Sequence, residues 1–510
     1  MKRMFLVFLA LVVLLSGCAT KKETKQATTD KTESKYGGIL KMGCVPVDTL
    51  NPLITSHASV SDFLSLVYEG LFLANEDLTS TPVLASDYVA SDDNTVYTVK
   101  LKNGVQFHDG KILDSEDVVA TVNYITMYSQ RYSSAVSSIL LCQASDRDTV
   151  VFTLKEPVSD FVNILDFPIL PAGLNGDAFS PANQEFKPVG TGMYKYRGTT
   201  AYKNIQLVAN EKWYGNKGRP NIDKIDVEIM SDEETIISAF DAGIIDILPT
   251  SWRNFTDMNL ASSLYNSFKV ESNKFTFLGI NTAAAAFDSP DERKLMSQYI
   301  DKEKLVSDIM LGGAQVAYSP VRENVYFNKK NDQSDDREKK TAVRDGLENS
   351  ERTEIYLLYN SDSKAKERLA LALKLQLGAA GYSVILDGQA FPTYLERVLN
   401  CHYDIYIGEI SADNSANLSF MFGENRNGQN ICSYSEPELH VLVSNINRMN
   451  GKDNKSVAWE NFEKYYNDKF FQIPLYFTED YVFLSKRISG KLSPNLSSFY
   501  GGFENLYVEK

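Results

Sequence analysis

The stretch YTVKLKNGVQFHDGKILDSEDVVATVNY, Tyr97 to Tyr124, decides how the rest of the chain is read. Its first part, VYTVKL from Val96 to Leu101, alternates with the period of two that marks a half-buried strand. Asn103-Gly104 is a strong hairpin signal, so Val105 and Phe107 are expected on one face of a returning strand. Asp109-Gly110 is the next turn. Asp114 or Ser115 can then cap a helix with Val118, Val122 and Ile125 in line. His108 beside Asp109 resembles a proton-moving pair. No nucleophile and no metal-ligand spacing accompanies it, and Asp-Gly is wanted at a turn for its backbone angles. The expected role is therefore structural.

On either side, strand and helix patterns follow one another. IDKIDVEIM, Ile222 to Met230, alternates as a strand. The next segment opens with Ser231 and Glu234 at capping-box spacing and closes at Gly243. With IIDIL after it, this predicts a β-α-β unit and a parallel sheet. Ser289, Pro290 and Glu292 start another helix, and Gly312-Gly313 ends that helical region. EIYLLY (Glu354 to Tyr359), YSVIL (Tyr382 to Leu386) and YDIYIGEI (Tyr403 to Ile410) read as strands. A helix from about Ser363 to Gly378 and FPTYLERVL lie between them. IPLYF, Ile473 to Phe477, returns to strand-like sequence. Asn328 to Arg352 is highly charged with few large apolar residues, the pattern of a long surface excursion.

With 510 residues the chain is too long for one core, so two or three domains are expected. The formal net charge of −14 disfavours nucleic acid or an anionic membrane surface as the main partner. At the N-terminus, Lys2 and Arg3 precede an apolar run from Met4 to Leu15, too short to span a bilayer comfortably. This reads as an export signal. The following LSGC, Leu15 to Cys18, resembles a bacterial lipobox, with residues 1–17 removed and Cys18 lipidated. Losing Lys2 and Arg3 takes the charge from −14 to about −16. Thr20 to Lys35 has no large apolar residue and reads as a flexible tether. Such an anchor places the body outside the bacterial cell membrane, or in the periplasmic space of a Gram-negative cell. Export permits disulfides among Cys44, Cys142, Cys401 and Cys432, but the spacing assigns no pair, and unpaired buried thiols are the expected state.

Taken in order, several segments resemble the family 5 solute-binding proteins of ABC transporters, which include oligopeptide- and dipeptide-binding proteins. These are DTLNP (Asp48 to Pro52), VYEGL (Val67 to Leu71), the opening stretch, PVGTGMYKY (Pro188 to Tyr196), FTFLGIN and IPLY. The resemblance runs from YGGIL at Tyr36 to the C-terminus. It implies an α/β fold of the class II periplasmic-binding kind, a two-lobe clamshell of the large type with an extra inserted subdomain. Lobe I would comprise residues 36–70, 188–272 and 473–510, with the subdomain at 71–187; lobe II would be 273–472. Chain crossings near Glu271 to Phe275 and Ile473 to Thr478 would form the hinge.

The resemblance further implies a monomeric importer component without catalytic residues, metal or cofactor. It would capture small peptides between the lobes and pass them to the transmembrane subunits of an ABC permease. Peptide binders of the family hold the ligand's α-amine with an acidic residue, and Asp413 in SADNSAN, Ser411 to Asn417, matches that position. Its plainer reading is a solvated loop Asp or Asx-turn. Where the family often has Gly-Trp, Gly408 is followed by Glu409, a carboxylate that either favours a cationic ligand or faces solvent. Arg426, with Asn425 and Asn430, lies in the next loop, where a guanidinium could meet a ligand carboxylate. Its alternative is a surface Arg in a polar loop. Tyr194 and the Gly190-Thr191-Gly192 turn are expected along the cleft, together with Asn51. The altered loop leaves nickel chelates, oligosaccharides and opines open as ligands, and a peptide-signal sensor as a role. No GxSxG, HExxH or paired-carboxylate signature supports an enzyme.

Overall fold

The computed structural model describes residues 35–509 except 181–182, 184, 201–203, 216–217, 252–263, 323–351, 413, 416, 423–433 and 450–451. Residues 36–510 form one compact unit. The export signal, Cys18, nearly all of the tether, Cys432 and most of the charged 328–352 segment lie outside the described residues.

Three main sheets organise the body. One four-stranded sheet has the order Ile39–Cys44, Lys224–Ile229, Asn204–Ala209, Tyr194–Thr200, with only the first pair parallel. A second, fully antiparallel, has the order Ala85–Ala90, Val96–Leu101, Thr149–Leu154, Ile139–Asp146. The third has seven strands. Thr353–Asn360 pairs in parallel with both Tyr382–Gln389 and Ile405–Ser411, and Ile405–Ser411 joins the long strand Tyr265–Ile280. That strand runs antiparallel to Gln472–Ser485, which also pairs with Ile247–Ser251 and Ala314–Val316.

The opening stretch behaves as read in two of its three parts. Val96–Leu101 is a strand, and Ser115–Tyr128 is a helix. Asp114 caps the helix and Asp117 completes a reciprocal box; Val118, Val122 and Ile125 are buried. The expected hairpin is absent. Gly104 turns with φ of +77°, but Val96–Leu101 pairs with Ala85–Ala90 and Thr149–Leu154 instead. Residues 105–113 form a small loop of their own, closed by Phe107 N–H donating to Lys111 O and Leu113 N–H donating to Val105 O. The reason is competition: both edges of the strand already carry partners, so the turn leads away from it.

The β-α-β expectation at 222–248 is also corrected. Lys224–Ile229 and the helix Glu233–Asp241 exist, capped by Asp232 rather than Ser231. The following strand, Ile247–Ser251, joins the seven-stranded sheet antiparallel to Gln472–Ser485, so the two strands never share a sheet. The parallel units that do form are at 353–411. There the expected strands and the helices Lys364–Ala379 and Phe391–Leu399 all appear.

Burial separates the body into more than one core. The largest runs from Leu40 through Phe107, Phe161 and Tyr194 to Ile225, and the chain end returns to it with Val482, Leu492 and Phe503. Two other clusters lie between Phe275 and Phe477, one around Trp459, Phe462 and Tyr406, the other around Leu357, Leu373 and Ile407. The paired long strands pass between these cores within their own length. Ile473 and Leu475 pack with Leu357, whereas Val482 and Leu484 pack with Leu40. Cys44, Cys142 and Cys401 are free thiols, and burial pushes the first two up to about 12. Among the described residues no helix is long and apolar enough to cross a membrane.

Candidate functional site

The crossing strands do not pair evenly. Glu271 lies opposite Glu479 and Phe275 opposite Phe477, so residues 272–274 bulge against Thr478 alone. A bulge of this kind bends a strand and re-aims its side chains. Arg322, itself nearly buried, holds it: its Nε donates to Ser272 O at 2.9 Å, and its guanidinium lies 3.5 Å from Glu271 and over the Phe477 ring. The Ser272 hydroxyl donates to Thr478 O.

A cavity of about 490 Å³ opens over this bulge. Its floor is Glu271 to Lys274 with Asp480. The cavity is also lined by Asp62, Tyr68, Glu69 and Asp166, by Ser411, Ala412 and Asn414, and by 495–499 with Arg131 and Tyr132. The volume falls within the roughly 300–1,000 Å³ of small-molecule sites.

Close backbone approach builds the wall. A Cβ on Gly70 would lie 2.6 Å from Asp166 O, and one on Gly190 only 2.0 Å from Val67 O. The Gly190-Thr191-Gly192 turn therefore packs on the VYEGL segment from behind. His108 fastens it. Gly190 N–H donates to Nδ1 at 3.3 Å, and Nε2 lies 2.9 Å from Gly192 O, so Nε2 carries the proton. Burial lowers this imidazole to about 4, which keeps it neutral. Glu69 accepts from Thr191 Oγ1 at 2.8 Å and Trp213 Nε1 at 3.1 Å; burial raises its carboxyl above the ordinary value.

Asn414 joins opposite sides of the cavity. Its Nδ2 donates to Asp166 Oδ2 at 3.2 Å and its Oδ1 accepts from Asn273 Nδ2 at 3.0 Å. Asn273 is therefore tied to Asp166 through one side chain. On the floor, Lys274 Nζ bonds both Asp480 oxygens at 3.0 and 3.1 Å.

The residues singled out from sequence fall into three groups. Asp413, Arg426 and Asn430 lie outside the described residues, as does Asn425, although Ala412 and Asn414 on either side of Asp413 line the cavity. Glu409 is placed on the sheet and bound to Lys366, with Nζ 2.7 Å from Oε2, a lysine that also reaches Thr276. It is not among the residues that line the cavity. Two expectations are corrected. Tyr194 is fully buried, donates its hydroxyl to Ile222 O at 3.0 Å and packs edge-on against Phe503, so it is a core residue. Asn51 is also fully buried, donating to Ala178 O and accepting from Leu53 N–H, and it shapes the loop beside Pro52. Both carry a polar group that burial obliges to find a protein partner, and it does so away from the cavity. The residues sequence reading missed, Asp62, Arg131, Lys274 and Asp480, lie in segments far apart in the chain. No spacing rule joins them.

Two α/β halves joined by crossing strands, with a cavity of mixed polar and apolar lining over the crossing, define a two-lobe solute-binding protein of the periplasmic-binding-protein kind. Residues 79–430 match the bacterial extracellular solute-binding proteins, family 5 (middle part), and the chain belongs to that family. It is a binding protein, not an enzyme. It is 24% identical to the oligopeptide-binding protein AppA of Bacillus subtilis over 96% of this chain and 95% of that one. It is 26% identical to the probable D,D-dipeptide-binding periplasmic protein DdpA of Escherichia coli K12, covering 87% and 89%. The crystal structure of the ABC transporter substrate-binding protein CtaP of Listeria monocytogenes superposes with a TM-score of 0.75 at 23% identity, covering 93% and 100%.

Proposed function

We propose that the protein captures small peptides in the cavity over the strand crossing and delivers them to the permease of an ABC importer, from a lipid anchor at Cys18 on the outer face of the membrane. The observation that carries the reading is the cavity itself: about 490 Å³, lined by segments from across the chain, with charged and amide side chains beside apolar ones such as Leu64, Ile164 and Phe499. Carboxylates, cations and amides suit a zwitterion with a hydrogen-bonding backbone, and the apolar lining suits its side chains. The names of the relatives, oligopeptide- and dipeptide-binding, agree with this. Ligand would favour the closed arrangement because only there do both walls touch it.

The lobe boundaries that serve this mechanism are 36–70, 188–272 and 473–510 for lobe I, 71–187 for its subdomain and 273–472 for lobe II. The bulge at 272–274 supports a hinge there, since pairing is already interrupted. Asp413 would take the ligand's α-ammonium, and Arg426 with Asn430 its carboxylate.

Native mass spectrometry of the purified chain, followed by calorimetry with the peptides it releases, tests the reading. Co-purifying peptide with micromolar or tighter affinity is expected. Binding confined to a nickel chelate, sugar or opine would overturn it. Anchoring is tested separately: Cys18→Ser should move the protein from the membrane fraction to the medium or periplasm.

A further inference from the structure

The subdomain at 71–187 meets lobe II away from the cavity as well, and it does so with unusual backbone. Six non-glycine residues among those described have a left-handed φ. Three of them, Leu78 (+65°), Asn94 (+56°) and Asp160 (+57°), lie in turns of the subdomain that touch lobe II. Leu78 packs against the cluster around Trp459 and Phe462. Asn94, almost fully buried, donates its amide to Asn447 O at 3.0 Å and Met449 O at 3.4 Å. The Asp160 carboxylate meets Lys455 Nζ at 3.0 Å, with both side chains largely buried. None of these residues is among those that line the cavity.

Left-handed backbone is costly for a residue with a Cβ, least so for Asn and Asp. It persists where surrounding contacts impose it, and it gathers at clamps and switches. Here bonds within the subdomain impose it. Asn163 Nδ2 donates to Leu78 O at 2.7 Å, Val158 N–H donates to Asn94 O at 3.3 Å, and Asn163 N–H donates to Asp160 O at 2.9 Å. The turns are shaped on their own side, and the side chains they present meet the other lobe.

Asn447 carries the contact inward. Its carbonyl takes the Asn94 amide, while its own Nδ2 donates to Asn417 Oδ1 at 3.0 Å and Ser419 Oγ at 3.2 Å. The same loop begins with Ser411, Ala412 and Asn414, which line the cavity. One residue therefore touches the seam and braces the loop on the ligand side.

We propose that these contacts form a latch that holds the two lobes closed from outside the ligand site. All of them are made with the lobes together, and all are lost when the lobes part. The latch adds to the closed state whatever solute fills the cavity, so it sets affinity through the closed fraction and not through contact with ligand. The inference rests on the lobe boundaries proposed above and on no particular ligand.

The test compares wild type with Asn94→Gly and Asp160→Asn. Glycine keeps the left-handed turn and deletes the amide; asparagine keeps the size and backbone tolerance of Asp160 and deletes the charge. Small-angle scattering reads the open fraction of the ligand-free chain, and calorimetry with the tripeptide Ala-Ala-Ala reads affinity. Each variant should bind Ala-Ala-Ala about threefold to tenfold more weakly, expand relative to wild type without ligand, and match wild-type dimensions at saturating peptide. A folded variant with wild-type affinity and wild-type ligand-free scattering overturns the latch, even if its urea midpoint falls, because the contact then only packs the fold. Leu78→Gly, which also keeps its turn, takes the place of either variant that does not fold. If Ala-Ala-Ala does not bind wild type, that result counts against the peptide reading alone, and ligand-free scattering decides the latch: expansion sustains it and an unchanged profile overturns it.

Discussion

His108 sits beside an aspartate yet spends both ring nitrogens on the turn at Gly190 to Gly192. Its neutral form is the folded form, because burial takes it from 6.5 down to about 4. The sign follows directly. A depressed histidine stabilises the fold above its unfolded value and loses that contribution as pH falls from about 6.5 to about 4. The loss amounts to about 3 kcal/mol. His108→Gln should be less stable than wild type near neutral pH, with the gap in urea-unfolding free energy narrowing by that order at about pH 4. A constant gap would show that the imidazole is not desolvated. The bland reading of His-Asp-Gly was legible from sequence, since Asp-Gly needs a turn. Its long-range partner was not, because a histidine's contact 82 residues away leaves no local pattern. Asp413 stands differently: it is singled out only by resemblance and lies outside the described residues, although its sequence neighbours Ala412 and Asn414 line the cavity. Asp413→Asn should weaken peptide binding by about 2–5 kcal/mol with the fold intact, as calorimetry would show.

At the scale of elements, the 18-residue helix Lys452–Lys469 carries a buried cation. Lys455 Nζ lies 3.0 Å from Asp160 Oδ1, with side-chain exposures of 9% and 13%. Asp160 adopts a left-handed φ of +57° to present its carboxylate, and nearby Asn94 donates to Asn447 O. These bonds join the region of the four-stranded antiparallel sheet to the last long helices. Lys455→Met removes the cation beside Asp160, which keeps its bond from the Ser159 hydroxyl, and should cost about 3 kcal/mol, while the double variant with Asp160→Asn recovers most of it. Urea unfolding of the three variants, arranged as a double-mutant cycle, measures the coupling; additive losses would show the pair contributes nothing. Helix and strand identities at 353–411 were readable because apolar spacing survives in a half-buried element. The failed hairpin at Asn103-Gly104 has the opposite cause. A turn signal reports local backbone angles, and the choice of strand partner is decided by edges already occupied elsewhere.

For the whole molecule, the cavity lies where strands 265–280 and 472–485 cross between cores, and Asn414 ties Asp166 to Asn273 across it. Asn414→Ala should lower ligand affinity about threefold to tenfold, the worth of one or two neutral hydrogen bonds. In small-angle scattering it should also reduce the ligand-induced contraction. An affinity unchanged within error would mean that Asn414 only shapes its own loop. Asp62 gives a complementary signal in the free protein. Its raised carboxyl favours the fold at low pH and loses that advantage as pH rises through about 7. Asp62→Asn should therefore raise the melting temperature of the ligand-free protein above that pH, as differential scanning calorimetry would show.

What the sequence determined alone was the class: the periodicity of its strands and helices, the caps at Asp114 and Ser289, and the order of segments that marks the family. These depend on neighbours within a few residues, or on motifs whose order is linear. The tertiary structure alone decided which side chains face the cavity. Tyr194 and Asn51 were drawn into the core, and Asp62, Arg131, Lys274 and Asp480 were gathered from four segments distant in the chain. Burial and charge pairing act through space, and a linear pattern carries no record of which distant groups will meet there.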